Sequence, residues 1–224
     1  MAKKPPRRTA ERILETSQEL FNRFGEPNVS TTAISAEMRI SPGNLYYHYP
    51  AKDELINALF ARFDLALGAV LKDCGAARTL DDAWRGLRAL FELIWQYRFF
   101  YRDLNDLISR NRQLEAAVQP VIGHQMQAMQ SMLRGLRANG VLDMDEQHIA
   151  DTSTSMVVLV TYWISFDYVR NPRHALEPAS AQQALLRGVH LAMNLLTPYL
   201  PAEQRSRLAM LASPAEPADM ALPA

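Results

Sequence analysis

The stretch best equipped for chemistry is residues 41–49, which read S-P-G-N-L-Y-Y-H-Y. Ser41 suits the N-cap of a helix and Pro42 its first position, so a short helix is predicted to begin here. Helical spacing places Leu45 and Tyr49 on its core side. The outward side carries Gly43, Asn44, Tyr46 and Tyr47. A small residue, an amide that can read base edges, and phenols suited to phosphate oxygens predict a recognition helix for the major groove of DNA.

The residues before this stretch predict two helices that would position it. Thr9 can cap a first helix whose apolar residues recur at steps of three and four, and Gly25 can end it. A second helix is predicted to follow, with the hydroxyls of Ser30, Thr31 and Thr32 as candidates for its N-cap. A short turn through Arg39 then leads into the recognition helix. Two helices joined by a short turn, on a supporting helix, form the helix-turn-helix pattern.

Charge is unevenly distributed along the chain. Lys and Arg total 24 and Asp and Glu total 24, so the formal net charge is zero, which argues against a general coat for polyanions. Residues 1–52 hold eight basic and five acidic side chains, a net charge of +3. This fits a DNA-binding head on a separate body. Within the arm at residues 1–8, Arg7 and Arg8 either contact phosphates or the minor groove, or belong to a solvated tail.

Other classes of protein find little support. The single cysteine, Cys74, excludes an internal disulfide and favours a reducing, cytoplasmic setting. There is no signal-peptide pattern, and the most apolar window, residues 156–166, is too short to span a membrane. The five histidines are scattered and no catalytic motif is present, so we expect no metal, no cofactor and no enzymatic activity.

The remaining chain predicts a body made of helices. They are expected at residues 51–72, 80–99, 102–110, 114–139, 146–169 and 181–200. With the three helices of the head, this is an all-α fold of about nine helices. The expected division is an arm and helix-turn-helix domain at 1–50, a ligand-binding and dimerisation domain at 51–212, and a disordered tail at 213–224.

The body is rich in aromatic residues and methionines. Most of them are expected to be core, but a ladder of Met126, Met129 and Met132 would also suit the wall of an irregular apolar pocket. No cluster of basic residues marks these inner faces, so a mainly apolar ligand is expected. The candidate pocket residues are Phe60, Phe63, Trp84, Phe91, Trp95, Met129 and Tyr162.

Two apolar stripes on the last two predicted helices suggest a two-fold dimer. Small residues in the final stripe would let a partner helix approach closely. The candidate interface residues are Met156, Val160, Ile164, Leu185, Gly188, Ala192, Leu195 and Tyr199.

The string S-P-G-N-L-Y-Y-H-Y-P-A-K-D-E-L, with L-F-N-R-F-G and S-T-T-A-I before it, closely resembles the DNA-binding domain of the TetR family of bacterial regulators. The resemblance covers residues 8–59. It implies that bases are approached by Gly43, Asn44 and Tyr46, on the helix that Ser41 begins. It implies phosphate contacts by Ser30, Thr31, Tyr47, His48 and Lys52. It also implies a helical bundle with a small-molecule pocket and a dimer made by the last two helices.

Three positions near this domain have more than one interpretation. Lys52 lies in the first turn of a helix, where the dipole disfavours a cation, so it either shares a phosphate with that helix end or is an ordinary exposed lysine. Arg39 stands where family members often have glycine, and a positive φ there would cost about 1 kcal/mol. Residues 97–107 look like one subgroup of the family, and Arg98, Arg102 and Asp103 either form an ionic network at a helix bend or a charged ligand site.

Three functions agree with these features. The first is a homodimeric repressor that binds a palindromic operator and is released by a small, mainly apolar ligand. The second is an architectural or partner-recruiting DNA-binding dimer with a solid core and no effector. The third is a lipid-handling enzyme or carrier with a vestigial DNA-binding head. A cavity in the body distinguishes the first from the second, and catalytic turnover would identify the third.

Overall fold

A computed structural model describes residues 7–172 and 178–212. Within these residues the chain forms eleven α-helices and two 3-10 turns, the latter at Glu26–Asn28 and Thr197–Tyr199. The α-helices are α1 Arg7–Phe24, α2 Thr31–Glu37, α3 Pro42–His48, α4 Lys52–Gly75, α5 Leu80–Gln96, α6 Arg98–Arg102, α7 Leu104–Arg110, α8 Arg112–Ala138, α9 Glu146–Arg170, α10 Pro178–Asn194 and α11 Ala202–Ala212. The all-α class is confirmed. Residues 1–6 of the predicted arm and the tail at 213–224 lie outside the described residues.

Local capping defines the helix-turn-helix of the head. The Ser30 hydroxyl accepts a hydrogen bond from Ala33 N at 3.1 Å and begins α2. The Ser41 hydroxyl accepts one from Asn44 N at 3.2 Å and begins α3. Each satisfies one of the backbone N–H groups that a helix start leaves unpaired. The buried faces of the three helices meet at Ile13, Phe21, Ile34 and Leu45.

The turn between α2 and α3 requires a left-handed backbone. Arg39 has φ 55°, a positive value that no other non-glycine residue in the described ranges adopts. Its backbone N–H donates to Ala36 O at 3.0 Å, and that of Ile40 donates to Ser35 O at 3.0 Å. The positive φ that the sequence left open for this position is therefore present. Arginine adopts it at a steric cost that glycine would avoid.

The body is organised around α4, which packs against α5 and α8, while α9 packs against α8 and α10 against α5. α5 begins with a capping box: Asp82 N donates to the Thr79 hydroxyl at 3.2 Å, and Thr79 N donates to the Asp82 carboxylate at 3.1 Å. α11 lies over α5, where Arg207 pairs with Asp81. One continuous apolar core joins the head to the body.

The helices predicted at 80–99 and 102–110 are divided differently in the structure. α5 ends at Gln96, and the short α6 and α7 follow. The buried amide of Asn22, on α1, bridges this division: its Nδ2 donates to Gln96 O at 2.7 Å, and its Oδ1 accepts from Phe99 N at 3.2 Å. One side chain of the head thus pairs backbone groups on both sides of the break. Because α11 also follows the predicted helix 181–200, the count of about nine is too low for the described chain.

The second half of α9 is apolar on its exposed side as well as on its buried side. It is long and apolar enough to cross a membrane by composition, but half of its most apolar window is buried inside the protein, as in a core helix. Met156, Val160 and Ile164 are all buried within the protomer. The exposed side of α9 carries Val158, Tyr162, Phe166 and Val169.

The predicted dimer stripes are therefore wrong in their central residues. Gly188 and Ala192 of α10 are buried in the protomer, like the three residues of α9. A Cβ atom at Gly188 would lie 2.6 Å from the ring of Phe91, so this glycine allows α10 to pack closely against α5 of the same chain. The other three predicted interface residues, Leu185, Leu195 and Tyr199, are half-buried.

Candidate DNA-binding surface and internal cavity

The outward side of α3 is exposed as its helical spacing predicts. Leu45 is fully buried beneath it, and Gly43, Asn44, Tyr46 and Tyr47 are exposed. No atom lies within 4 Å of the position that a Cβ would take at Gly43, so this part of the helix can be approached closely. Tyr49 and His48 are half-buried at its end, and the Tyr49 hydroxyl lies 3.4 Å from Ala10 O.

An open groove runs beside α3 and brings four of the candidate residues together. Ser30, Thr31, Tyr46 and Lys52 all line it. The hydroxyls of Thr31 and Tyr46 are hydrogen-bonded at 3.0 Å. Hydroxyls, a lysine and the N-terminus of the long helix α4 on one groove could together bind a phosphate-rich ligand.

Lys52 is not the independent cation that the sequence suggested. Its Nζ donates to the backbone oxygen of Glu26 at 2.6 Å and lies 2.7 Å from the Glu26 carboxylate, which is fully buried. The carboxylate offsets the lysine charge, and the backbone oxygen of Glu26 occupies one of the three N–H donors of Lys52. The ammonium can still donate a hydrogen bond to a phosphate.

The predicted arm is shorter than its boundary at residue 8. α1 already begins at Arg7, so the expected Thr9 cap is wrong. Arg8 lies in the first turn of α1 and is exposed, and the side chain of Arg7 is outside the described part of the chain.

Glu26 also joins the head to the body. Arg110, at the end of α7, donates a hydrogen bond to its carboxylate. The same guanidinium lies 3.0 Å from Asp106, one turn earlier on α7. The buried carboxylate therefore has one cationic partner on α4 and another on α7.

The ionic network expected at 97–107 forms in part. Arg102 pairs with Asp103 and packs directly on Gly25, whose φ of 89° and missing side chain make room for it. Arg98 instead donates to Trp95 O at 3.2 Å and lies over the Trp95 ring, 4.8 Å from its centroid. Burial, and then the charge of Arg102, lower the Arg98 pKa from its ordinary value.

A small internal cavity lies where five helices of the body meet. Its volume is about 20 Å³, room for about one water molecule. α4, α6, α7, α8 and α9 contribute its lining residues: Phe60, Phe63, Phe100, Tyr101, Leu104, Val118, Val121, Ile122, Gln125 and Thr161.

Only Phe60 and Phe63 of the seven predicted pocket residues line this cavity. Phe91 and Met129 are fully buried in the core, where Phe91 packs against α10. Trp84 and Trp95 are half-buried against the same core. Tyr162 is exposed, because the residue of α9 that turns toward the cavity is its neighbour Thr161. These five predicted pocket residues do not line this cavity.

The polar residues of the cavity were missed from the sequence. Gln125 interrupts an apolar stripe on α8 that runs from Leu114 through Val121 to Met132. A buried polar residue within such a stripe is a signal that could have identified it. The phenol of Tyr101 interacts with the Gln125 side chain, and its burial raises its pKa above the ordinary value.

An exposed helix-turn-helix on a helical body containing a cavity defines a DNA-binding regulator of transcription. The chain matches the family described as "Bacterial regulatory proteins, tetR family" over residues 13–59. It matches a second description, "Bacterial transcriptional repressor", over residues 62–208. The chain belongs to the TetR family.

Known proteins with similar chains support the same placement. A TetR-family transcriptional regulator from Marinobacter aquaeolei VT8 is 29% identical, with 91% of this chain and 97% of that chain covered and a TM-score of 0.80. The Escherichia coli K12 regulator UidR is 43% identical over 51 residues, which are 23% of this chain and only 26% of UidR. The structure of SmeT with triclosan is 19% identical, covers 88% of this chain and 94% of that chain, and has a TM-score of 0.61, which shows a shared fold.

Proposed function

We propose that the protein is a homodimeric repressor that binds a palindromic operator through α3 and leaves it when a small, mainly apolar ligand enters the body. The observation that carries the DNA-binding part is the outward side of α3, which presents Asn44, Tyr46 and Tyr47 beside the groove that Lys52 lines. A DNA-binding regulator of this kind acts in the cytoplasm.

The dimer is proposed to form on the exposed apolar face of α9 and α10, which we name the α9–α10 face. Its residues are Val158, Tyr162, Phe166, Val169 and Leu191. Exposed large apolar side chains, of which Val158, Tyr162 and Phe166 recur at helical spacing on α9, are typical of a protein interface. A two-fold dimer would present two recognition helices to half-sites about 34–36 Å apart.

Two routes connect the cavity to the head, and both end at Glu26. α4 contributes Phe63 to the cavity and Lys52 to the Glu26 carboxylate. α7 contributes Leu104 to the cavity and Arg110 to the same carboxylate. A ligand that separates α4 from α7 would pull on Glu26 from two sides and change the spacing of the recognition helices, which lowers operator affinity.

A second function is favoured by a different observation. The cavity of about 20 Å³ is far smaller than an ordinary ligand pocket, and most of the predicted pocket residues fill the core. These facts favour an architectural or partner-recruiting dimer that has no effector. Ligand-dependent release of operator DNA distinguishes the two functions.

The DNA-binding proposal can be tested by selecting preferred duplexes from a random pool and measuring their affinity at several salt concentrations. Asn44→Ala is expected to change the preferred bases. Tyr47→Ala is expected to weaken binding to all sequences and to reduce the salt dependence. Ser131→Ala, on the exposed side of α8, is the control and should change neither. Unchanged affinity and base preference in both α3 variants would contradict the proposal.

A further inference from the structure

The cavity contains polar atoms that the protein leaves without a partner. Gln125 is 1% exposed and Thr161 is 4% exposed, and both line the cavity. Gln125 Oε1 and Thr161 Oγ1 have no hydrogen-bond partner in the described protein. Buried polar atoms are nearly always hydrogen-bonded, so two such atoms at one cavity indicate a site that a further molecule completes.

The polar atoms specify what that molecule must offer. A glutamine oxygen only accepts hydrogen bonds, whereas a threonine hydroxyl both donates and accepts. Tyr101, whose hydroxyl interacts with the Gln125 side chain, lines the same cavity. The unpaired oxygen of Gln125 therefore requires a donor from the ligand.

The remaining lining excludes a charged group. It is entirely aliphatic or aromatic apart from Tyr101, Gln125 and Thr161, and it includes no Lys, Arg, His, Asp or Glu. A carboxylate or ammonium buried here would lose its hydration without gaining an opposite charge. A hydrocarbon would leave both polar atoms unpaired.

We propose that the cavity binds a neutral ligand with an apolar body and one hydroxyl, which donates to Gln125 Oε1 and accepts from Thr161 Oγ1. This inference rests on the proposed function, because it specifies the ligand of the same cavity. Half-buried Leu104, Val118 and Ile122 form the side nearest solvent, so the ligand enters between α7 and α8. A ligand larger than this cavity of about 20 Å³ would have to displace lining side chains such as the rings of Phe60 and Phe63.

Four probes of similar shape test the ligand class by isothermal titration calorimetry: 4-butylphenol, 4-butylanisole, butylbenzene and 4-butylbenzoate. They offer respectively a donor and acceptor, an acceptor only, neither, and a negative charge. The wild-type chain is expected to bind the phenol about tenfold more tightly than the anisole, which lacks the hydrogen bond to Gln125, and to bind the hydrocarbon, which lacks both hydrogen bonds, more weakly than the anisole. It should bind the benzoate more weakly still.

Variants assign this preference to the cavity. Gln125→Leu should bind the phenol and the anisole equally, because both can still accept a hydrogen bond from Thr161. Thr161→Val should bind the anisole no more tightly than the hydrocarbon and should reduce the preference for the phenol over the hydrocarbon. Thr152→Val replaces another buried threonine of α9 that does not line the cavity, so it should retain the full preference. If Gln125→Leu does not fold by circular dichroism, the near-isosteric Thr161→Val decides the test.

Two results would overturn this inference: equal or absent binding of the four probes to the wild type, or an unchanged preference in the folded cavity variants. Operator release, measured in the same samples, tests the proposed function separately. A Gln125-dependent phenol preference without DNA release supports the ligand class and contradicts the ligand-responsive repressor. Release of DNA by a compound whose binding does not depend on Gln125 supports the ligand-responsive repressor and contradicts the proposed ligand class.

Discussion

Arg39 shows what one residue contributes at the turn of the helix-turn-helix. Its φ of 55° lies in the left-handed region, where the Cβ atom comes too close to the backbone, at a cost of about 1 kcal/mol. Arg39→Gly removes this strain and is expected to raise the free energy of unfolding by at most about 0.5 kcal/mol, because the greater freedom of glycine in the unfolded chain offsets about 0.5–1 kcal/mol of the gain. Urea denaturation measures the gain. Arg39→Ala loses the same charge but keeps the Cβ, so an equal gain in that variant would refute the backbone explanation.

Cys74 makes a second prediction about a single side chain. It is fully buried, and burial, with a smaller effect of the Asp73 charge, raises the pKa of its thiol to about 12. Since the thiolate is the reactive form, the native chain should not react measurably with a disulfide reagent at pH 8, and reaction should require opening of the fold. When the chain is denatured in guanidinium, its one cysteine should react with one equivalent of the reagent. Rapid reaction of the native chain would show that the contact between α4 and α5 opens readily.

The helices of the head were predictable because their signals are local. The hydroxyls of Ser30 and Ser41 each accept a hydrogen bond from the backbone N–H three residues later in the chain. The glycine at position 25 follows directly on the last residue of α1. The break between α5 and α6 was not predictable. It is bridged by Asn22, which is 74 residues from Gln96 in the chain and reaches it only after the head has packed against the body.

The cavity illustrates the same limit. Phe60 and Phe63 were identified because they repeat at helical spacing on α4. Phe100 and Tyr101 belong to the α6 segment, whose position depends on the non-local break. The opposite wall is set by whether Thr161 or Tyr162 of α9 turns inward, and helical periodicity cannot decide this where the helix is apolar on its exposed side as well as on its buried side.

The Glu26 junction predicts how two helices are coupled to the head. Arg110→Met removes the partner of Glu26 on α7 and leaves Lys52 on α4. Because the guanidinium is partly exposed, a loss of about 1–2 kcal/mol in the free energy of unfolding is expected. Arg88→Met, which breaks the exposed pair with Glu92, is the control and should cost about 0.3–0.5 kcal/mol.

The same variant tests coupling as well as stability. If α7 transmits ligand binding to the head, Arg110→Met should still bind operator DNA but should require more ligand for release. The measurement is a titration of the protein–DNA complex, followed by fluorescence anisotropy. A release curve identical to that of the wild type would leave α4 as the only route from the cavity to Glu26.

The whole assembly depends on which face of α9 meets a second chain. Phe166, on the α9–α10 face, is 54% exposed. Phe166→Asp is therefore expected to fold normally, because the change lies in solvent in the isolated protomer. In the dimer the carboxylate would be buried without a partner, so the variant should be monomeric. Sedimentation at micromolar concentration gives the mass, and circular dichroism confirms the fold.

Two further variants make this prediction specific. Leu65→Asp changes an exposed apolar residue outside the α9–α10 face, a leucine of α4 that is 82% exposed, and should remain dimeric. Gly188→Arg should fail to fold, because even a Cβ there would lie 2.6 Å from Phe91 and 3.0 Å from Trp163. A dimeric Phe166→Asp with a monomeric Leu65→Asp would move the interface to α4. A monomeric, folded Phe166→Asp should also lose most of its operator affinity, since a single head contacts one half-site and the second contact is no longer held at high effective concentration.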